Sequence, residues 1–177
     1  VMLEIVDRFN QAAKDIGAAT SIKFIPAGYP DSPDGISVRV CADSRIAAYA
    51  YSRTVAIHEG LLTILKESTD GATDADKAES LFTSAVAFVL YHELGHIHLS
   101  HTSLDDSALL DTAPEFEADM FAAMVMRATG YSMEGVDIVF SVLDLINPAG
   151  SLRHPTSWER AEMVQRIDMA KISSADK

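Results

Sequence analysis

The sequence predicts a helix-dominated α+β domain with a small antiparallel or mixed sheet near its N-terminus. Two observations carry that expectation. Strand-like runs are confined to the first third of the chain, and from about Asp76 onward the apolar residues recur at helical spacing between short breaks. With 177 residues the chain suits one domain with a sizeable core and is short for two, so residues 1–177 are expected to form a single unit.

The elements follow in order. Ile5, Val6, Phe9, Ala12 and Ile16 stand at helical spacing across Leu3 to Ile16, with Gly17 as a stop. Ile22 to Ile25 reads as a short strand ended by Pro26, and Gly28 to Gly35 is dense in turn residues. Ile36 to Cys41 alternates as a strand and Arg53 to His58 does so less cleanly, which gives about three strands. A short helix begins at Gly60 to Leu65, and the polar stretch Lys66 to Asp76 reads as a linker. Asp76 with Glu79 three residues on resembles a capping box that opens a long helix to about Leu99, apolar on nearly every side in its first half and therefore central. Beyond the loop Ser100 to Asp111, Thr112 caps a helix stopped by Gly130. Met133 to Ile146 forms another, and Thr156 with Glu159 opens a last amphipathic helix to about Ile172.

Composition narrows the function classes. Acidic residues outnumber basic ones 26 to 14, a formal charge of -12, which repels phosphate backbones and argues against a nucleic-acid partner. One cysteine, Cys41, supports neither an internal disulfide nor a thiolate metal cluster. The amphipathic N-terminus carries Glu4, Asp7 and Arg8 and does not resemble a cleavable leader, and a start at Val1 suggests a processed or excised piece. The most apolar run, Leu81 to Tyr91, is shorter than the ~20 residues a membrane span needs. A cytoplasmic protein without a membrane span is expected; the oligomeric state is not legible.

The chemistry concentrates in His92-Glu93-Leu94-Gly95-His96. Residues i and i+4 of a helix lie one above the other, so both imidazoles can face one Zn²⁺ ion. Glu93 is placed to accept a proton from a water activated there, as a general base does. The competing reading, in which the two histidines cap or pack a buried helix, is weaker, because the pair stands near the end of a long apolar helix where a cleft would open. A catalytic zinc site needs a third protein ligand. His98 faces away from His96, and His101 is too close in sequence for a turn and return. Asp105, Asp106, Asp111, Glu117 and Asp119 are acidic candidates, but Glu115 is favoured because a second helix packed on the first could present it. Glu115 also stands three residues after Thr112, where it would complete a capping box instead.

Four blocks, in order, resemble the gluzincin metallopeptidases, and in particular the soluble catalytic core of the family of CAAX prenyl proteases and HtpX-like heat-shock proteases. They are Ala47 to Ala50 with Thr54 to Leu62, then Tyr91 to Ile97 with His101, then Glu115-Phe116-Glu117-Ala118-Asp119, and last His154-Pro155-Thr156 with Glu159-Arg160. The ImmA/IrrE-like peptidases are similar too, although their usual Glu-Ala-Asn is Glu-Ala-Asp here. The resemblance implies a minimal zincin-like metallopeptidase domain that hydrolyses peptide bonds. It further implies Glu115 as third zinc ligand, Asp119 as a carboxylate orienting a ligand imidazole, His154 as an oxyanion donor, and Arg160 as a partner of an acidic residue. A peptide or protein substrate is expected to pair with the strand near Arg53 to His58. The rival is a non-catalytic or regulatory interaction protein that keeps the metal and the fold; hydrolysis of non-peptide amides is a third option.

Overall fold

A computed structural model describes residues 1–15, 20–71, 74–101, 112–148 and 155–175, with side chains to residue 166. The expected stop at Gly17 and the loop candidates Asp105, Asp106 and Asp111 lie outside the described residues, as does His154. The order is α1 (Met2–Asp15), β1 (Ile22–Phe24), β2 (Ile36–Cys41), β3 (Ala48–Tyr51), β4 (Thr54–His58), α2 (Glu59–Thr69), α3 (Ala75–His98), α4 (Ala113–Thr129), α5 (Glu134–Ile146) and α6 (Ser157–Ala175). Helices dominate and the four strands form one mixed sheet, an α+β fold.

The strands lie in the order β1-β2-β4-β3. β1, β2 and β4 are parallel, while β3 returns antiparallel to β4 through a tight turn in which Ser52 takes a left-handed φ of 50°. All five residues of β4 are buried, because it has a strand on each side and helices against its faces. Its failure to alternate cleanly in sequence is the mark of such a doubly covered strand. This corrects the expected docking place for a substrate: Arg53 is exposed just before β4, Thr54 to His58 is interior, and the edge on this side of the sheet belongs to β3. That fourth strand alternates half-buried Ala48 and Ala50 with exposed Tyr49 and Tyr51.

Two helix boundaries also differ from expectation. Lys66 to Thr69 continues α2 rather than forming a linker. The N-cap of α3 is Asp74, whose carboxylate accepts from the Lys77 amide at 2.6 Å, and Asp76 lies inside the first turn. A side chain two residues earlier wins because the Ncap must keep extended backbone, as Asp74 does at φ -142°.

α3 is buried on every side from Thr83 to Gly95, with α4, α5, α2 and the β3–β4 hairpin around it. α5 reaches it through Gly135, where a Cβ would stand 2.6 Å from the backbone of Ser84 and Ala85. α6 starts on a reciprocal capping box. The Thr156 amide donates to Glu159 Oε2 at 3.0 Å, and the Glu159 amide donates to Thr156 Oγ1 at 3.3 Å. No helix among the described residues is long and apolar enough to cross a membrane.

Gly135→Ala is expected to destabilise the protein by about 1–2 kcal/mol in urea unfolding, the backbone clash outweighing the helix propensity gained by alanine. The capping hydrogen bonds of Thr156 hold the Glu159 carboxyl below its ordinary pKa of 4.5. Their stabilisation is therefore complete above pH 4.5 and is lost as pH falls through the lower folded-state value. Melting temperatures of wild type and Glu159→Gln should differ above the ordinary carboxyl pKa and converge in acid as pH falls through the lowered folded-state value, by the same linkage.

Candidate metal centre

The last turns of α3 carry His92, Glu93 and His96 to the floor of a cleft of about 570 Å³. α4 crosses close to them because position 95 is glycine: a Cβ there would lie 3.0 Å from the Ala118 Cα. Glu115 and Asp119, one turn apart on α4, thereby face His92 and His96, one turn apart on α3.

His92 Nε2 and His96 Nε2 stand 3.0 Å apart, and the Glu115 carboxylate oxygens lie 3.6 Å and 3.4 Å from them. One donor atom from each residue thus falls within a single small sphere, and His92, His96 and Glu115 could hold a metal ion. The two carboxylate distances run to different Glu115 oxygens, and two imidazole nitrogens with a carboxylate are a donor set compatible with a divalent ion such as zinc. Glu115 makes no capping box. The Thr112 side chain forms no cap bond, and Pro114 in the first turn removes one backbone donor that a cap would otherwise satisfy.

Behind the donors lies a buried ionic network. His92 Nδ1 is 2.9 Å from Asp119 Oδ1, and Arg160 spans both Asp119 oxygens at 2.7 Å and 2.8 Å. The same guanidinium comes within 3.4 Å of Glu115 and lies over the Phe140 ring of α5. An ionised carboxylate only accepts, so His92 Nδ1 carries the hydrogen and Nε2 turns a lone pair to the site. Burial opposes charge on both partners of this pair. Hydrogen bonds and opposite charges together outweigh it, so Asp119 titrates below and His92 above its ordinary value. Glu93 is buried in the cleft wall, and desolvation raises its pKa against the pull of His92 and His96.

His101 follows His96 by only five residues, yet the two rings meet. A left-handed Ser100, φ 63°, turns the chain back, and His101 Nδ1 comes to 3.1 Å from His96 Nδ1 while its Nε2 meets Glu117 at 3.0 Å. It sits behind a donor, away from the three-atom cluster, and occupies Glu117 as well. A backbone with positive φ at a serine leaves no mark in the sequence. His98 is exposed and packs its ring on Phe121. His58, another buried histidine, bonds Asp43 at the end of β4 and does not line the cleft.

The family model described as Peptidase U49 matches residues 58–175, a span that contains every residue of this cluster. The chain belongs to the Peptidase U49 family. No curated protein matches the sequence. Membership places this chain in a family of peptidases, which act on protein substrates.

Arg160→Met would leave the buried Asp119 carboxylate without its guanidinium. A loss of about 3–5 kcal/mol in urea unfolding is expected, the usual cost of orphaning one member of a buried ion pair. A change below about 1 kcal/mol would mean that the network does not hold α6 to α4.

Proposed function

We propose that this peptidase is a zinc-dependent endopeptidase of the gluzincin type, with His92, His96 and Glu115 as ligands and Glu93 as general base. The observation that carries the proposal is the cluster of two Nε2 atoms and one carboxylate at 3.0 to 3.6 Å, the donor set of a catalytic zinc site that keeps its fourth position for water or substrate. Zn²⁺ bound there would supply Lewis acidity that makes water nucleophilic near neutral pH and polarises a carbonyl.

The chain's own residues do the rest. Glu93, raised in basicity by burial, takes the proton of the attacking water and delivers it to the leaving amine. Asp119 keeps His92 in the tautomer that turns Nε2 to the site, and Arg160 keeps Asp119 ionised and fixed. The substrate backbone pairs with the free edge of β3, of which Ala48, Tyr49 and Ala50 border the same cleft. His154 remains the proposed oxyanion donor on the strength of the family resemblance; its neighbour Pro155 borders the cleft. The likeness to the CAAX prenyl protease and HtpX-like family supports the same roles and stays a resemblance.

Elemental analysis of purified protein should give about one zinc per chain, and Glu93→Gln should keep the metal while peptide cleavage drops by roughly 10²–10⁴-fold. Full activity in Glu93→Gln would remove the general base from this scheme. A protein that neither contains nor binds zinc would remove the metal, and with it the distinction from a non-catalytic relative.

A further inference from the structure

The two histidines of the cluster are braced from behind in different ways. His92 leans on the wholly buried Asp119, which Arg160 grips in turn. Behind His96 stands another imidazole. His101 Nδ1 lies 3.1 Å from His96 Nδ1, and the two rings meet at an interplanar angle of 68°. On its far side His101 Nε2 lies 3.0 Å from Glu117 Oε2. The His101 side chain is only 9% exposed, whereas that of Glu117 is 58% exposed and stands at the surface. The turn that lays His101 on His96 runs through Ser100 at φ 63°, a left-handed backbone that glycine adopts freely and serine only at a cost.

One placement of hydrogens satisfies all three side chains. A carboxylate only accepts, so His101 Nε2 donates to Glu117, and in its neutral form His101 keeps a lone pair on Nδ1. That lone pair takes the hydrogen of His96 Nδ1, which leaves the His96 Nε2 lone pair turned to the cluster. From the metal end the result is the same, because a ligating imidazole nitrogen carries no hydrogen.

We infer that His101 is a positioning residue for the metal: it accepts the Nδ1–H of His96 and so aims His96 Nε2, while Glu117 holds His101 in the tautomer that accepts. This role presupposes the zinc reading above and adds two residues to it. Packing alone would need the bulk of the His101 ring but not its Nδ1 lone pair. Supports of this kind behind a ligand are worth about 10–100-fold in metal affinity. Water screens the exposed Glu117 carboxylate, so its share is smaller than that of His101.

The test uses the full chain, with zinc affinity read by chelator competition and the hydrogen bond by NMR of protein carrying ¹⁵N-labelled histidine. His101→Phe keeps a ring and removes the acceptor, whereas His101→Asn offers an amide oxygen in place of Nδ1. Zinc affinity should fall by about 10–100-fold in His101→Phe and stay within about threefold of wild type in His101→Asn. Glu117→Ala, at the surface, should weaken zinc binding by a smaller factor than His101→Phe. In the zinc-loaded wild type, His96 Nδ1 and His101 Nδ1 should show scalar coupling across their shared hydrogen. Thermal melts check that the variants fold, and the coupling, read on wild type, decides the matter even where one does not. Zinc affinity equal in wild type and folded His101→Phe, equal losses in the Phe and Asn variants, or no coupling between the two nitrogens overturns the positioning role and leaves the zinc reading standing. Unchanged affinity in Glu117→Ala overturns the part given to Glu117. A wild type that binds no zinc overturns the zinc reading and the positioning role with it.

Discussion

Asp119 is the constraint on which the site depends. Its carboxylate is wholly buried, and a lone buried charge of that kind is not tolerated. It is matched by Arg160 from α6 on one side and by His92 from α3 on the other. Each partner is fixed in turn: Arg160 by Phe140 and Glu115, His92 by its place in the central helix. Three helices separated widely in sequence, α3, α4 and α6, meet at this carboxylate. That arrangement also aims His92 Nε2 at Glu115. Folding and the preparation of the metal site are thus one event, and the desolvation cost of the ions is offset by hydrogen bonds on both oxygens.

The pairing of helices α3 and α4 has a simple geometric logic. Each contributes two side chains one turn apart, His92 and His96 against Glu115 and Asp119. The contact between Gly95 and Ala118 lies between the pairs and brings the axes close enough for short carboxylate–imidazole distances. Neither glycine nor alanine does chemistry here. Their small size determines whether four polar side chains meet as a cluster or stand apart as two solvated pairs.

Much of this was legible in the sequence, and the limits have physical causes. His92, Glu93 and His96 could be placed on one helix face because helical periodicity alone sets their relation. The third donor could not be chosen on the same ground, since facing between helices is a tertiary property. Thr112–Glu115 and Thr156–Glu159 make the point within one chain. Both carry the same local pattern, yet the second closes its capping box while the first gives its glutamate to the histidines across the helix interface. A carboxylate facing two imidazoles has a stronger partner than a backbone amide. The docking strand has a similar cause. β4 fails to alternate because it is covered on both faces, but which strand keeps a free edge depends on the strand order, a tertiary property. His101 escaped because the turn at Ser100 uses a backbone conformation that serine seldom adopts.

The central helix also sets polar and apolar side chains along one wall of the cleft. Phe88 and Val89 border it, while His92, Glu93 and His96 lie one and two turns further along. Glu93 is the residue at the boundary. Burial raises the proton affinity of the Glu93 carboxylate. His92, His96 and Arg160 pull the other way and favour its charged form. An apolar wall and a carboxylate of raised proton affinity thus share one buried face of α3 because residues four apart on a helix lie one above the other.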